Sequence, residues 1–261
     1  MLNQDQVCIV TGGGKGIGKG IAKVLAAEGA TVVVAGRSED LLRQTAADIV
    51  ADGGRALASR LDITDRPGVT AFVQWVREQF GRIDVLVNNA GPMPMPGNLA
   101  TFDDQLWDDL FAVNATGTYN MTKAVLPGMS EQKSGRIVNI SSISAKLTWP
   151  AFVAYGAAKA ALHAFTTALA KEVAGDGITV NCVLPGFTRT EEMERIWGTI
   201  AHHAGKTMDE LVNPILESKV PIQRWLRPEE IGYMVSFLAS PRASGITGQM
   251  FVVDGGLDAR D

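Results

Sequence analysis

At 261 residues, the chain is long enough for one large α/β domain, a class that often reaches ~250 residues without splitting. A net charge of −4 with no basic run argues against nucleic acid and anionic membrane as partners. No apolar run approaches the ~18 residues a spanning helix needs, and MLNQDQVCIV lacks a charged segment leading into a long apolar core, so a cytoplasmic location without a secretion signal is the expectation.

Residues 6–11 read as an apolar strand running into GGGKGIG, followed by a helix over about 17–28 that stops at Gly29. Strand, glycine turn and helix form the context in which backbone N–H groups and a helix N-terminus cradle a pyrophosphate. The glycines Gly12, Gly16 and Gly18 follow TGxxxGxG rather than GxGxxG; Gly14, Lys15 and Ile17 complete the loop. The second strand, 31–35, ends in Gly36, Arg37 and Ser38. An acid there would bind a ribose 2′-OH, but this chain offers Arg37, with Lys15 in the glycine loop. Two cations without a carboxylate suit a 2′-phosphate and so favour NADP(H) over NAD(H).

A helix over 39–51 leads to a third strand, RALASRLD, with Asp62 and Ile63 at its end, placed to contact the adenine edge. Capping the next helix, 67–80, is the competing role for this region. The strand over 83–87 ends in Asn88, Asn89, Ala90 and Gly91, small and amide residues that would let a cofactor lie close to the sheet. GPMPMPG, residues 91–97, is a loop that would overhang the site. A helical region over 103–132, with breaks anticipated near Gly117 or Pro127, carries Asn114 on an inward-facing stripe. This buried amide must find partners, either a water behind Lys159 or backbone groups.

A strand over 135–140 delivers Ser141 and Ser142, and a helix over about 151–174 carries Tyr155 and Lys159. Spacing of four puts both side chains on one helical face, one turn apart. A strand end facing that helix can hold the Ser142 hydroxyl beside the phenol. Together the three residues make an acid–base device: the ammonium favours the phenolate, and serine steadies charge on the same substrate oxygen. A unit charge ~4 Å from the phenol is worth about 4 kcal/mol at an effective dielectric of 20, or roughly three pKa units.

The strand over 178–184 ends in PGFTRT, where Pro185 fixes the bend and the backbone beyond Gly186 is free to bind a carboxamide. Residues 191–226 lose the strand–helix rhythm and read as a mobile flap over the pocket. A last helix over 227–240 and a strand near 248–256 close the chain. Cys8 and Cys182 lie inside strands without metal-like spacing and are expected to be buried, reduced thiols; no metal is expected. The alternation predicts a single domain over 1–261, a doubly wound Rossmann-like fold with a seven-stranded parallel sheet. Its ligand should sit beyond the strands' C-terminal ends.

TGGGKGIG, Asp62, NNAG, Asn114, Ser142, YGAAK, PGFTRT and ITGQMFVVDGG, in this order, resemble the short-chain dehydrogenase/reductase family over about residues 7–256. The resemblance implies Tyr155 as general acid, Ser142 polarising the substrate oxygen, and Lys159 binding the nicotinamide ribose and lowering the tyrosine pKa. It also implies Asn114 holding a relay water, Thr190 and the Thr188 backbone binding the carboxamide, and a homotetramer built on helices around 106–130 and 152–174. Lys15 and Arg37 resemble the family's NADP-preferring members. The expected function is reduction of a ketone, or oxidation of the matching alcohol, with NADP(H). Met93, Met95, Trp149, Phe152, Phe187, Met193 and Trp197 would line a pocket for an apolar or aromatic carbonyl compound. Reduction of a 3-oxoacyl thioester is the alternative; less favoured are a lyase or epimerase using transient hydride transfer and a non-catalytic NADP(H)-sensing protein.

Overall fold

The computed structural model describes residues 1–259. Seven strands lie in one sheet: β1 (Val7–Thr11), β2 (Thr31–Gly36), β3 (Arg55–Arg60), β4 (Val85–Asn88), β5 (Gly135–Ile140), β6 (Ile178–Pro185) and β7 (Met250–Val253). Every pairing is parallel and the order is β3-β2-β1-β4-β5-β6-β7. The order reverses between β1 and β4, so the connections leave in opposite directions there and open a crevice above the strand ends.

Helices cover both faces, and the side-chain alternation of β1 shows why. Cys8 and Val10 point to a core shared with α1 (Gly16–Ala27), α2 (Glu39–Ala51) and α9 (Pro228–Ala239). Val7 and Ile9 point to the opposite core, built with α3 (Arg66–Phe80), α5 (Thr118–Gln132) and α6 (Val153–Val173). A period of two with apolar residues on both sides is what a doubly covered parallel strand requires. Both cysteines are buried free thiols, as expected.

The structure refines the sequence expectations in several places, and β4 and β7 are shorter than expected. The long helical region is α4 (Asp104–Phe111), a π-helical stretch over Ala112–Gly117, and α5, which continues through Pro127. The widened turn, rather than a break, absorbs the irregularity, and it contains Asn114. Leu61 and Asp62 lie beyond the end of β3. The polar helical pieces of residues 191–226 are two regular helices, α7 (Glu191–His203) and α8 (Met208–Lys219). Thr207 and Glu210 close a reciprocal capping box on α8, and Val212, Leu216 and Val220 form a small core with Phe187, Trp197 and Trp225.

Candidate active site

Beyond the C-terminal ends of β1, β2, β4, β5 and β6 lies a cavity of about 590 Å³. At one end the loop after β1 brings Gly12, Gly14, Lys15, Gly16, Ile17 and Gly18 to its wall. Gly12 and Gly16 adopt left-handed φ values of 66° and 51°. A side chain on Gly18 would collide with the Gly12 carbonyl and with the Asn89 amide 2.5 Å away, so the turn closes only with glycine there. No side chain caps α1 and its first turn carries no acid, which leaves its N-terminal N–H groups free for an anion. Thr11 secures the turn: its hydroxyl accepts from the Asn89 and Ala90 N–H groups at 3.0 and 3.1 Å.

Lys15 and Arg37 are exposed on the rim of this end, and neither makes a salt bridge among the described residues. Asp62 and Ile63 face them. One Asp62 oxygen accepts from both the Thr64 N–H (2.9 Å) and hydroxyl (2.7 Å), bonds that hold its carboxyl below the usual range; Arg37 assists from a distance. Asp62 therefore fastens the turn after β3 and keeps its other oxygen for a ligand. Bare glycines, an uncapped helix start and two unpaired cations fit a dinucleotide carrying an extra phosphate.

The other end holds the reactive groups. Ser142, Tyr155, Lys159, Pro185, Gly186, Thr188 and Thr190 line it, with Asn89, Ala90 and Gly91 on the floor between the two ends. Ser142 follows β5; its Oγ accepts from the Ser144 N–H at 3.1 Å, and its hydroxyl faces the Tyr155 phenol, so a substrate oxygen entering between them could take a hydrogen bond from each. Lys159 is 3% exposed, and its Nζ donates to the Ile140 carbonyl at 2.9 Å. Ser141 donates to the Lys159 carbonyl at 2.9 Å and lies 3.0 Å from His163 Nε2, tying β5 to α6. Thr190 caps α7 through the Met193 N–H, while Thr188 bridges to Leu226 and anchors the base of the α7–α8 segment.

Burial decides the protonation states. It pushes the Tyr155 phenol up to about 12; the Ser142 hydroxyl pulls against it and the Glu192 carboxylate adds to it. It brings Lys159 down to about 8, with Glu192 working in the opposite sense. In the protein alone, burial outweighs any pull of Lys159 on the phenol. The lysine is itself stripped of water, its ammonium is spent on Ile140, and Nζ lies 5.9 Å from the phenol ring centroid. Tyr155 is a phenol here, poised to give a proton rather than take one.

Asn114 does not line the cavity, but it is fully buried just behind it. Its amide donates to the Leu110 carbonyl at 3.0 Å, while its Oδ1 has no partner. An orphaned buried oxygen calls for a donor, and a water is the smallest that fits.

Met93, Trp149, Phe152, Phe187, Met193 and Trp197 line the cavity and give it an apolar wall, whereas Met95 does not reach it. Phe187 packs against Trp197 and Trp225 at centroid distances of 6.2 and 5.8 Å. Sequence reading passed over Glu191 and Glu192, which also line the cavity. Their signal was present, since acids following a Thr that caps a helix belong at its first turn, but which way they faced was not. Beneath the floor Asn88 donates to Thr122 and to Asn139 on the neighbouring strand, and Asn139 donates to Thr166, a side chain the sequence reading did not single out. Among the described residues no group of His, Cys, Asp or Glu side chains could hold a metal ion, and no helix is long and apolar enough to cross a membrane.

A family model described as enoyl-(acyl carrier protein) reductase matches residues 12–258. The putative ketoacyl reductase of the monensin polyketide synthase from Streptomyces virginiae is 39% identical over 255 residues, 97% of each chain. A 3-oxoacyl-[acyl-carrier-protein] reductase from Synechocystis is 39% identical over 254 residues, 97% of this chain and 96% of that one. Among solved structures, a single-substitution variant of actinorhodin polyketide ketoreductase with NADPH superposes with a TM-score of 0.93 at 38% identity, covering 98% of both chains. Levodione reductase gives a TM-score of 0.93 at 30% identity and 99% coverage of both.

Proposed function

Because the chain belongs to the short-chain dehydrogenase/reductase family and is an NADP(H)-dependent oxidoreductase of C=O and CH–OH groups, we propose that Ser142, Tyr155, Lys159 and Asn114 carry out reduction of an apolar or aromatic ketone. The observation that carries this reading is the placement of Ser142, Tyr155 and Lys159 at one end of the cavity, against the aromatic wall. NADPH, when held in this cavity, would supply the hydride for the carbonyl carbon. Ser142 donates a hydrogen bond to the carbonyl oxygen, and Tyr155 delivers its phenolic proton to the same oxygen. Lys159 holds the ribose, and a water on Asn114 Oδ1 passes a proton inward to replace the one spent. Gly12, Gly14, Gly16, Ile17 and Gly18 hold the pyrophosphate, and Lys15 and Arg37 hold the 2′-phosphate. Asp62 and Ile63 would hold the adenine, Asn89, Ala90 and Gly91 the middle of the cofactor, and Pro185, Gly186, Thr188 and Thr190 the carboxamide.

Residues 191–226 act in this reading as a substrate flap, with Met193 and Trp197 as its inner face. A homotetramer is the matching assembly. Leu106, Tyr119 and Val153, on α4, α5 and α6, expose apolar surface that such packing would cover, and sedimentation should give about four times the 27.8 kDa chain mass.

A second reading, reduction of a 3-oxoacyl thioester, is supported by the names of the Synechocystis and S. virginiae relatives. NADPH oxidation against an acetoacetyl thioester, a bulky aromatic ketone and a cyclic ketone separates the two. Fastest turnover of the aromatic ketone supports the first reading, and fastest turnover of the thioester supports the second.

A further inference from the structure

We propose that Glu192 sets the charge class of the substrate, admitting carbonyl compounds that are neutral or cationic and turning away those with an anionic group near the reacting carbon. The inference rests on the ketone-reductase reading and adds a residue to it. Three acids occupy the first turn of α7, and their surroundings differ. Glu194 accepts from Arg189 at 2.7 Å. Glu191 is exposed, and its Oε2 lies 3.8 Å from where a side chain on Gly16 would begin, at the glycine-loop end of the cavity. Glu192 is half-buried, lines the cavity beside Met193, and makes neither a salt bridge nor a hydrogen bond among the described residues.

Glu192 lies between Thr190 and Met193 on the turn of α7 that lines the cavity with Tyr155 and Lys159, and in keeping with that position its carboxylate favours the protonated forms of both. An acid serving only the dipole of α7 would do as well facing water, as Glu194 does. The cations that line the cavity are Lys15, Arg37 and Lys159; the first two stand at the glycine-loop end, and Lys159 is turned onto the Ile140 carbonyl. The substrate end therefore presents a carboxylate without a salt-bridge partner among the described residues, in a cleft where charges are only partly screened. A carboxylate or phosphate on the substrate would meet like charge there. An ester or amide would not, and an ammonium or hydroxyl would find an acceptor.

The test is kcat/KM with NADPH for para-acetylbenzoate, its methyl ester and the para-aminomethyl ketone, using wild type and Glu192→Gln. Wild type should prefer the ester to the benzoate by about tenfold or more, as like charges a few ångströms apart in a partly screened site dictate. Glu192→Gln should shrink that preference by about fivefold or more and remove any advantage of the aminomethyl ketone. Raising the ionic strength should narrow the wild-type preference, a readout that needs no variant. A preference unchanged by both the substitution and salt, with NADPH still bound by the variant, would overturn the role of Glu192 alone. No turnover of the neutral ester by wild type would overturn the ketone-reductase reading, and this inference with it.

Discussion

The orphaned side-chain oxygen of Asn114 and the ammonium of Lys159 converge on the same point beside the α-carbon of Gly91. A β-carbon built on Gly91 would overlap Asn114 Oδ1 and stand 2.9 Å from Lys159 Nζ. Glycine at this position is thus what allows the amide and the ammonium to approach the cavity floor together. Gly91→Ala should displace both and lower kcat by about a hundredfold, the scale of a misplacement near 1 Å. Gly175→Ala, where nothing lies within 4 Å, serves as the control. Full turnover by Gly91→Ala would mean that the spacing between Asn114 and Lys159 is immaterial to the reaction.

Tyr155→Phe removes the proton donor and little else, because the ring remains to fill its buried site. Ketone reduction should fall by about 10²–10⁴-fold, the usual contribution of a general acid. Binding of NADPH, followed by its fluorescence, should change little. Since burial holds the phenol near 12, reduction should proceed at neutral pH without loss of the acid form. Alcohol oxidation, which needs the phenolate, should accelerate as pH rises. A flat oxidation profile would contradict the assignment.

Lys159 makes a prediction about stability in the free protein. Its pKa is about 8 when folded against 10.5 as an ordinary side chain, so between those values the unfolded chain holds a proton that the folded one has released. Stability from this group therefore rises with pH across that window and is absent below it. At about 1.4 kcal/mol per pH unit, the gain is roughly 3 kcal/mol. Urea unfolding of wild type and Lys159→Met between pH 7.5 and 10 should show the difference between them shifting in favour of wild type by that order. Tyr155 acts in the opposite sense above pH 10, its ordinary value, which sets the upper limit of the comparison. A constant difference would mean that the buried lysine keeps its charge.

Arg37→Ala should weaken NADPH far more than NADH. Loss of a charge-assisted pair with a phosphate is worth about 1.5–3 kcal/mol, or roughly 10–150-fold in KM. Lys15→Ala should act in the same direction. Equal losses for the two cofactors would place these cations outside the 2′-phosphate site.

The order of strands and helices, the glycine turn after β1 and the pairing of Tyr155 with Lys159 were legible in the sequence because each depends on local spacing. Apolar residues at periods of two and 3.6 specify strands and helices, and residues four apart on a helix share a face whatever surrounds them. The ends of the strands carried the cavity lining with them, since a parallel sheet gathers all its C-terminal edges on one side. What the tertiary structure decided is electrostatic and long-range. Whether Lys159 or burial governs the Tyr155 phenol depends on how much water each group loses, and no spacing encodes that. Whether Glu192 faces solvent or the reacting groups depends on the rotation of α7 over the cavity, fixed by Trp197 packing against Phe187, ten residues away on another segment. The sequence determined which side chains are present and which neighbours along the chain they keep; folding alone determined their dielectric surroundings, which set the protonation states on which the chemistry runs.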